Sequence, residues 1–280
     1  MKRSFVHLKK TLIRKEFLIV FATIQISQSG FCQNNEGSSS YNTSAGDIPL
    51  SIGIGVTLGA GIYFDEKRDS LARKEYENLK PYSFFANQWS LGLYENYESK
   101  NRSRSFQYSP KNLSDDLLVI SVIGGLVTPF FVNQSAQNDH GVVTAMYFQT
   151  VALNIGVNEL TKALTRKPRP YVHYSKEVQN LSYDDFYFSR SADFSDANRS
   201  FYSGHTSLTS AVCFFSARMF CDYSNDKNAK PYVVASAAII PAIVAYLRMR
   251  SGLHSFTDVI TGYAAGGLIG GVIIPELHKE

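Results

Sequence analysis

The chain has 280 residues, of which 44% are hydrophobic and 19% charged, against a usual charged share of about 25%. Its formal charge of +4 comes without a dense basic stripe interleaved with aromatics, which argues against nucleic acid as a partner. Three cysteines, Cys32, Cys213 and Cys221, stand at no metal-type spacing and suggest no disulfide framework; the last two read as buried thiols.

Residues 1–32 have the form of an export signal. Lys2, Arg3, Lys9, Lys10, Arg14 and Lys15 make a basic start, Phe17 to Ile26 an apolar run, and Ser27 to Gly30 a small, polar end. The run falls short of the roughly 20 apolar residues that a span needs. An uncleaved anchor and a lipidated Cys32 are the competing readings. Residues 33–47 are rich in Asn, Ser and Gly and read as a disordered linker. Residues 48–280 then form the working domain. Ile48 to Phe64 is an apolar, Gly-rich helix with Asp47 as its cap and Pro49 in its first turn.

Residues 65–112 are polar, with helical turns expected around Leu71–Leu79. Ser114-Asp115-Asp116 reads as the N-cap of an apolar helix, Leu117–Val132, that carries Pro129. A linker, Asn133–His140, leads to a second helix from Gly141 to Leu164. Thr165–Arg199 is a polar, aromatic loop. Apolar helices resume at Thr206–Phe220, Tyr232–Leu247 and Thr257–Ile274, the last with the glycines that suit close helix contact in lipid. No stretch alternates as a strand does. The fold class is therefore all-α: a bundle of five strong apolar helices and a weaker sixth. Their lengths, roughly 15–18 residues, sit at the lower limit for spanning a bilayer. A membrane-embedded bundle is preferred to a soluble one with an unusually apolar core.

Three groups of chemically capable residues stand at loop–helix junctions. Lys162 is followed, after six residues, by Arg169-Pro170. Ser203-Gly204-His205 opens a helix. Arg248 is followed by five residues and His254, then three residues and Asp258. Taken singly, each has a plain structural explanation: a basic helix flank, a cap, a snorkelling arginine or a surface i,i+4 pair. Together they suit phosphoryl transfer, in which charge on the equatorial oxygens must be held and stabilised. Arg169 and Arg248 offer bidentate forks and Lys162 a point charge. Ser203 and the Gly204 N–H, at a helix N-terminus, serve the remaining oxygen. His254 and Asp258, four apart, would share a helix face. The carboxylate would then orient the imidazole, making His254 the nucleophile and leaving His205 as general acid. This scheme needs no metal or other cofactor.

The three groups resemble the signature of the type 2 phosphatidic acid phosphatase superfamily, which includes lipid phosphate phosphatases, bacterial acid phosphatases and vanadium haloperoxidases. The family pattern is Lys-x6-Arg-Pro, Pro-Ser-Gly-His and Ser-Arg-x5-His-x3-Asp. Tyr202 stands where that pattern has proline and Leu247 where it has serine. The resemblance covers residues 113–280 and makes 48–280 a phosphatase domain. It implies a phosphomonoester or pyrophosphate substrate, most simply a membrane lipid phosphate, with the site on the non-cytoplasmic side of the cell envelope. A soluble periplasmic acid phosphatase, a vanadate-dependent haloperoxidase and a non-catalytic binder of anionic lipid remain as alternatives, and nothing fixes the oligomeric state.

Several neighbours carry smaller expectations. Glu159 is placed to neutralise Lys162 or to mark a lipid boundary. Arg166 and Lys167 read as solvated or as additions to the basic mouth, Arg250 as a competitor of Arg248 that lacks the family spacing, and His140 and His173 as unpaired loop residues. Tyr171, Tyr174, Phe186, Tyr187 and Phe188 are placed at a substrate mouth or as interfacial anchors. Residues 33–112 are assigned a cap or gate over the site.

Overall fold

The computed structural model describes residues 41, 47–66, 71–82, 85–101, 109–131, 140–189 and 194–279. The expected export signal at 1–32 and nearly all of the expected linker at 33–47 lie outside the described residues. Ten helices are used below, in chain order: α1 Asp47–Glu66, α2 Arg73–Glu77, α3 Phe85–Asn101, α4 Pro110–Phe131, α5 His140–Thr165, α6 Pro170–His173, α7 Tyr183–Ser189, α8 Gly204–Tyr223, α9 Lys230–Arg250 and α10 Phe256–Leu268. The helix α10 continues through a wider π-helical turn, Ile269–Ile273, into Ile274–Leu277. Among the described residues there is no strand, only an isolated bridge between Tyr41 and Lys279. The all-α bundle expected from the sequence is the observed architecture.

α8 is the central helix. It packs against α4, α5, α9 and α10, while α1 lies along α5. Its composition explains the position. Ser, Thr and Ala alternate with Phe, Val and Met around the whole circumference, so α8 has no strongly polar face to give to solvent. Two of its buried hydroxyls bond to neighbouring helices: Ser207 Oγ donates to Asn154 Oδ1 at 2.5 Å and Ser210 Oγ to the Tyr263 carbonyl at 2.8 Å. On α10, a Cβ at Gly266 would lie 2.0 Å from the Ser207 carbonyl oxygen, so only glycine lets the two backbones meet. Val143, Met146, Tyr147, Val212, Phe215 and Met219 fill the space between α5 and α8. A second cluster, with Tyr76, Tyr94, Tyr171, Val172 and Phe186, lies under the 165–199 segment.

Several expectations need correction. α4 begins at Pro110, so Ser114-Asp115-Asp116 is inside the helix rather than at its cap. The 65–112 region holds a full helix, α3, in place of isolated turns beyond residue 79. The 165–199 loop contains α6, α7 and short turns. Tyr174 and Phe186 are buried in the second cluster, not set at a mouth, whereas Tyr187 and Phe188 are exposed. Cys213 is a free thiol, as expected, but Cys221 is disulfide-bonded.

Among the described residues two helical runs, Lys230–Arg250 and Phe256–Leu277, are long and apolar enough to cross a membrane, and Ile48–Phe64 is a shorter apolar helix. At one end of the bundle the termini of α4, α5, α8 and α9 meet. At the other end Arg218, Asp222, Glu276 and Tyr41 form a closed polar cluster.

Candidate active site

The α5 C-terminus, the α8 N-terminus, the α9 C-terminus and the start of α4 surround a cavity of about 250 Å3. Lys162, Arg169, Gly204, His205, Arg248 and His254 line it together, from three stretches of sequence that are far apart. Ser203 and Asp258 are fully buried behind the wall.

Each group has a local cause. Lys162 sits in the last turn of α5, where a cation suits the helix C-terminus. Arg169 precedes Pro170, which fixes the extended backbone before α6. Ser203 is the N-cap of α8, its hydroxyl accepting from Thr206 N at 3.4 Å and lying 3.0 Å from Thr206 Oγ1. That hydroxyl is thus engaged by its own helix and is not presented to the cavity. A Cβ on Gly204 would meet Asn158 Oδ1 at 2.6 Å and Lys162 Nζ at 3.3 Å, so any side chain there intrudes on the anchoring groups. Tyr202, where the pattern has proline, is buried, and its carbonyl accepts from Asn158 Nδ2 at 2.9 Å. The turn before His254 uses Gly252 at φ +71°, against the ring of Tyr94.

The cations are tied into a ring of acids. Lys162 Nζ lies 2.8 Å from Glu159 Oε1, and Glu159 Oε2 lies 2.5 Å from Arg199. Arg199 reaches Asp196 at 3.1 Å, and Asp196 lies 3.6 Å from Arg169. Arg169 Nε also donates to the Asp196 carbonyl at 2.8 Å. Glu159 therefore neutralises Lys162, as one of its two readings had it. Against the cost of burial, Arg169, Arg199 and Lys162 hold the Asp196 carboxyl below its ordinary range.

Arg248 is 4% exposed. Its Nη1 donates to Asp115 Oδ1 at 2.8 Å and to Ser114 Oγ at 3.1 Å. Its Nε is buried with no hydrogen-bond partner among the described residues. A buried guanidinium donor left open beside a polar cavity is costly unless a ligand completes it. Arg250 is not a rival: it stacks on Tyr97, 5.6 Å from the ring centre, and does not line the cavity.

The two histidines differ. His254 is 2% exposed, and its Nδ1 lies 2.7 Å from the Ser200 carbonyl oxygen. Burial, then Arg169, Arg248 and Lys162, push it well below its ordinary range, so it is a neutral imidazole near pH 7. His205 Nε2 lies 2.9 Å from Asp115 Oδ1, the same oxygen that holds Arg248. Burial, then Arg248, Lys162, Arg169 and Lys111, push His205 down to about 3.

The expected His254–Asp258 pair does not form. His254 precedes α10, whose N-cap is Ser255, so the two residues are not one helical turn apart on a shared face. Asp258 instead accepts from Ser255 N at 2.8 Å and Ser200 Oγ at 2.5 Å, and takes Lys167 Nζ at 2.7 Å. Lys167, expected in solvent, is thus held by this network although partly exposed, while Arg166 makes an exposed pair with Glu75. His173, expected to be unpaired, lies 3.0 Å from Glu177 and against the ring of Tyr82.

Asp115, Asp196, Arg199 and Lys111 also line the cavity and were not singled out from the sequence. The acidic doublet at 115–116 was the only visible signal, and helix-cap propensity offered a sufficient explanation for it. α3 does not cover the cavity. It supports the turn after His254 from behind, where Phe256 N donates to Ser90 Oγ at 2.8 Å and Thr257 Oγ1 to Asn87 Oδ1 at 3.2 Å.

Residues 144–279 match the family model of the PAP2 superfamily. No curated protein and no solved structure matches the chain. All three motif groups fall inside the matched stretch, while Lys111 and Asp115 come before it. Over residues 144–279, just under half of its length, the chain is similar to the PAP2 superfamily, a group with phosphatase-type activity.

Proposed function

We propose that the protein hydrolyses the phosphomonoester or pyrophosphate group of a membrane lipid through a phosphohistidine at His254. The observation that carries this reading is the convergence of a neutral, buried His254, a second histidine and the incompletely bonded Arg248 on one cationic cavity. His254 Nε2 forms a bond to phosphorus as the ester P–O bond breaks, and the leaving oxygen takes a proton from His205. A water then gives its proton to His205 as its oxygen bonds phosphorus and the N–P bond breaks. Phosphate leaves, and both histidines return to their starting states. Lys162, Arg169 and Arg248 hold the equatorial oxygens throughout. The dianionic substrate offsets the cations that depress His205 and so lets it carry the proton it must give. No step is routed through a metal.

A lipid substrate and a membrane location are supported by the outer surface. Ile52 and Val56 on α1, Ile120 and Ile123 on α4, and Tyr232 and Ile239 on α9 are large apolar side chains more than half exposed. Large apolar side chains left exposed on several helices suit a lipid environment. Between α4, α8 and α9 an apolar groove of about 450 Å3, lined among others by Leu117, Ile120, Gly124, Ala217, Val233 and Ile240, offers room for an alkyl chain. α9 and the α10 run are read as spans, with the cavity on the non-cytoplasmic side that the export signal implies. The rival soluble phosphatase is favoured by the substantial burial of those runs, 44% and 56% of their apolar windows.

The test is phosphate release from a panel of lipid phosphates and one soluble aryl phosphate, in detergent with EDTA, for the parent beside His254→Ala. Lipid turnover by the parent, lost in the variant, is expected. Turnover of the aryl phosphate alone, with release of the folded protein from cells without detergent, would overturn the lipid assignment. Turnover retained by His254→Ala would overturn the phosphohistidine.

A further inference from the structure

We infer that Ser200 and Lys167 are positioning residues for the nucleophile, and that Asp258 acts on the His254 ring through the Ser200 hydroxyl and the Ser255 N–H and not by direct contact; this rests on the assignment of His254 above. Ser200 is fully buried and is held at three points. Its N–H donates to the Lys167 carbonyl at 3.0 Å, its hydroxyl donates to Asp258 Oδ2 at 2.5 Å, and its carbonyl oxygen lies 2.7 Å from His254 Nδ1. A carbonyl oxygen can only accept. The neutral imidazole must therefore carry its proton on Nδ1, which leaves the Nε2 lone pair for phosphorus.

Asp258 grips the chain on both sides of the histidine. Oδ2 takes the Ser200 hydroxyl and also Ser255 N, at 2.8 Å, immediately after His254. Its backbone carbonyl accepts from Ser203 N at 3.1 Å, two residues before His205. One carboxylate residue thus fixes the distance between nucleophile and general acid without touching either ring. Lys167 completes the arrangement, with Nζ 2.7 Å from Asp258 Oδ1, 2.8 Å from Ser255 Oγ and 2.9 Å from Thr257 Oγ1. Its charge compensates the fully buried Asp258, which burial alone would penalise heavily. The charged groups around His254 are then Arg169 before α6, Arg248 on α9, Lys162 on α5, and the Lys167–Asp258 pair behind it. A phosphohistidine forming there is stabilised by an aligned carbonyl dipole and not by a carboxylate in direct contact.

Ser200→Ala removes the hydroxyl and keeps the carbonyl. It is expected to lower kcat about 10–100-fold, the worth of one charge-assisted hydrogen bond. KM and inhibition by inorganic phosphate should stay within about twofold, because the anion-binding cations are untouched. Ser200→Thr should recover most of the loss. In an Asp258→Asn background, Ser200→Ala should cost less than about threefold more, since one linkage has already been broken. A Ser200→Ala enzyme within about threefold of the parent, or losses in the two variants that multiply, would overturn the proposal. Lys167→Met should lower kcat without weakening phosphate inhibition; weakened inhibition would make Lys167 a phosphate ligand instead.

A readout independent of turnover separates this proposal from the phosphatase reading. The 15N shifts of the His254 ring should report the Nδ1–H tautomer in the resting parent. An Nε2–H tautomer would overturn the positioning scheme whatever the activity. An inactive parent with the Nδ1–H tautomer would overturn the phosphatase reading and leave the positioning of the ring standing.

Discussion

The two ends of the bundle each bury an arginine, and they treat it differently. Arg218, 7% exposed, has Asp222 at 2.6 Å and Glu276 at 2.7 Å, and Asp222 is in turn bonded by Tyr41. Arg248, 4% exposed, shares a single Asp115 oxygen with His205 and keeps an unbonded Nε. Around Arg218 the acids match or exceed the cation. Around Arg248 five cationic side chains line the cavity against two carboxylates. The same buried guanidinium is a structural tie where its charge is answered internally, and a binding group where that answer is left to a ligand.

This contrast can be broken at its strongest point first. His254→Ala should reduce phosphate release by about 10^4-fold or more, as loss of a covalent nucleophile does. Retained turnover would remove the catalytic end from its assigned role. The arginines come next. Arg248→Ala should lower kcat/KM about 10^2–10^3-fold with little change in Tm. Arg218→Ala should do the reverse, costing about 3–5 kcal/mol of stability while the folded fraction keeps its activity. Thermal melts and kinetics on the same preparations check both, and an exchange of the two phenotypes would erase the distinction.

A smaller effect concerns Asp115. The Asp115 carboxylate, 2.9 Å from His205 Nε2, opposes the cations that depress that ring, and in the proposed mechanism it favours the protonated form once substrate is bound. Asp115→Asn should move the alkaline limb of the kcat profile to lower pH by about one unit. An unmoved limb would reduce Asp115 to a partner of Arg248. The least effect is on stability. His254 and His205 are both depressed in the folded state, so the unfolded chain binds more protons below the ordinary histidine range, about 6.5. Their contribution is complete above that pH and is lost as pH falls toward the folded values. The Tm of the ligand-free protein should therefore drop on acidification below about 6.5. Double replacement, His205→Gln with His254→Gln, should flatten that slope, and an unchanged slope would refute the link.

Much of the fold was legible because strongly apolar segments of helical length have few other uses. α5, α8, α9 and α10 were placed within a few residues of their observed ends. α3 was missed because Trp89, Leu93, Tyr94 and Tyr97 are scattered among Asn, Glu and Ser, and its helicity depends on packing against α6, α9 and α10. The anchoring cations and both histidines were legible from spacing, which fixes their place at helix ends. The acids that share the cavity were not, since Asp115 and Asp196 join it only through tertiary contact. The misplaced His254–Asp258 pair has a single cause. A four-residue spacing implies a shared face only inside a helix, and the helix starts one residue after the Ser255 cap.

The support that α3 gives the turn after His254 sets a limit on dissection. Ser90, Asn87 and the Trp89 ring contact with Phe256 all lie upstream of the family-matched stretch, as do Asp115 and the α1 face packed on α5. A minimal version cut at residue 144 would retain the three sequence motifs that define the family. It would lose the scaffold that fixes the Phe256 backbone and the carboxylate that bridges the acid and the arginine. The stretch that matches the family model and the set of helices packed around the site do not coincide in this chain. A transplant of its chemistry into another bundle would have to carry the unmatched N-terminal helices along.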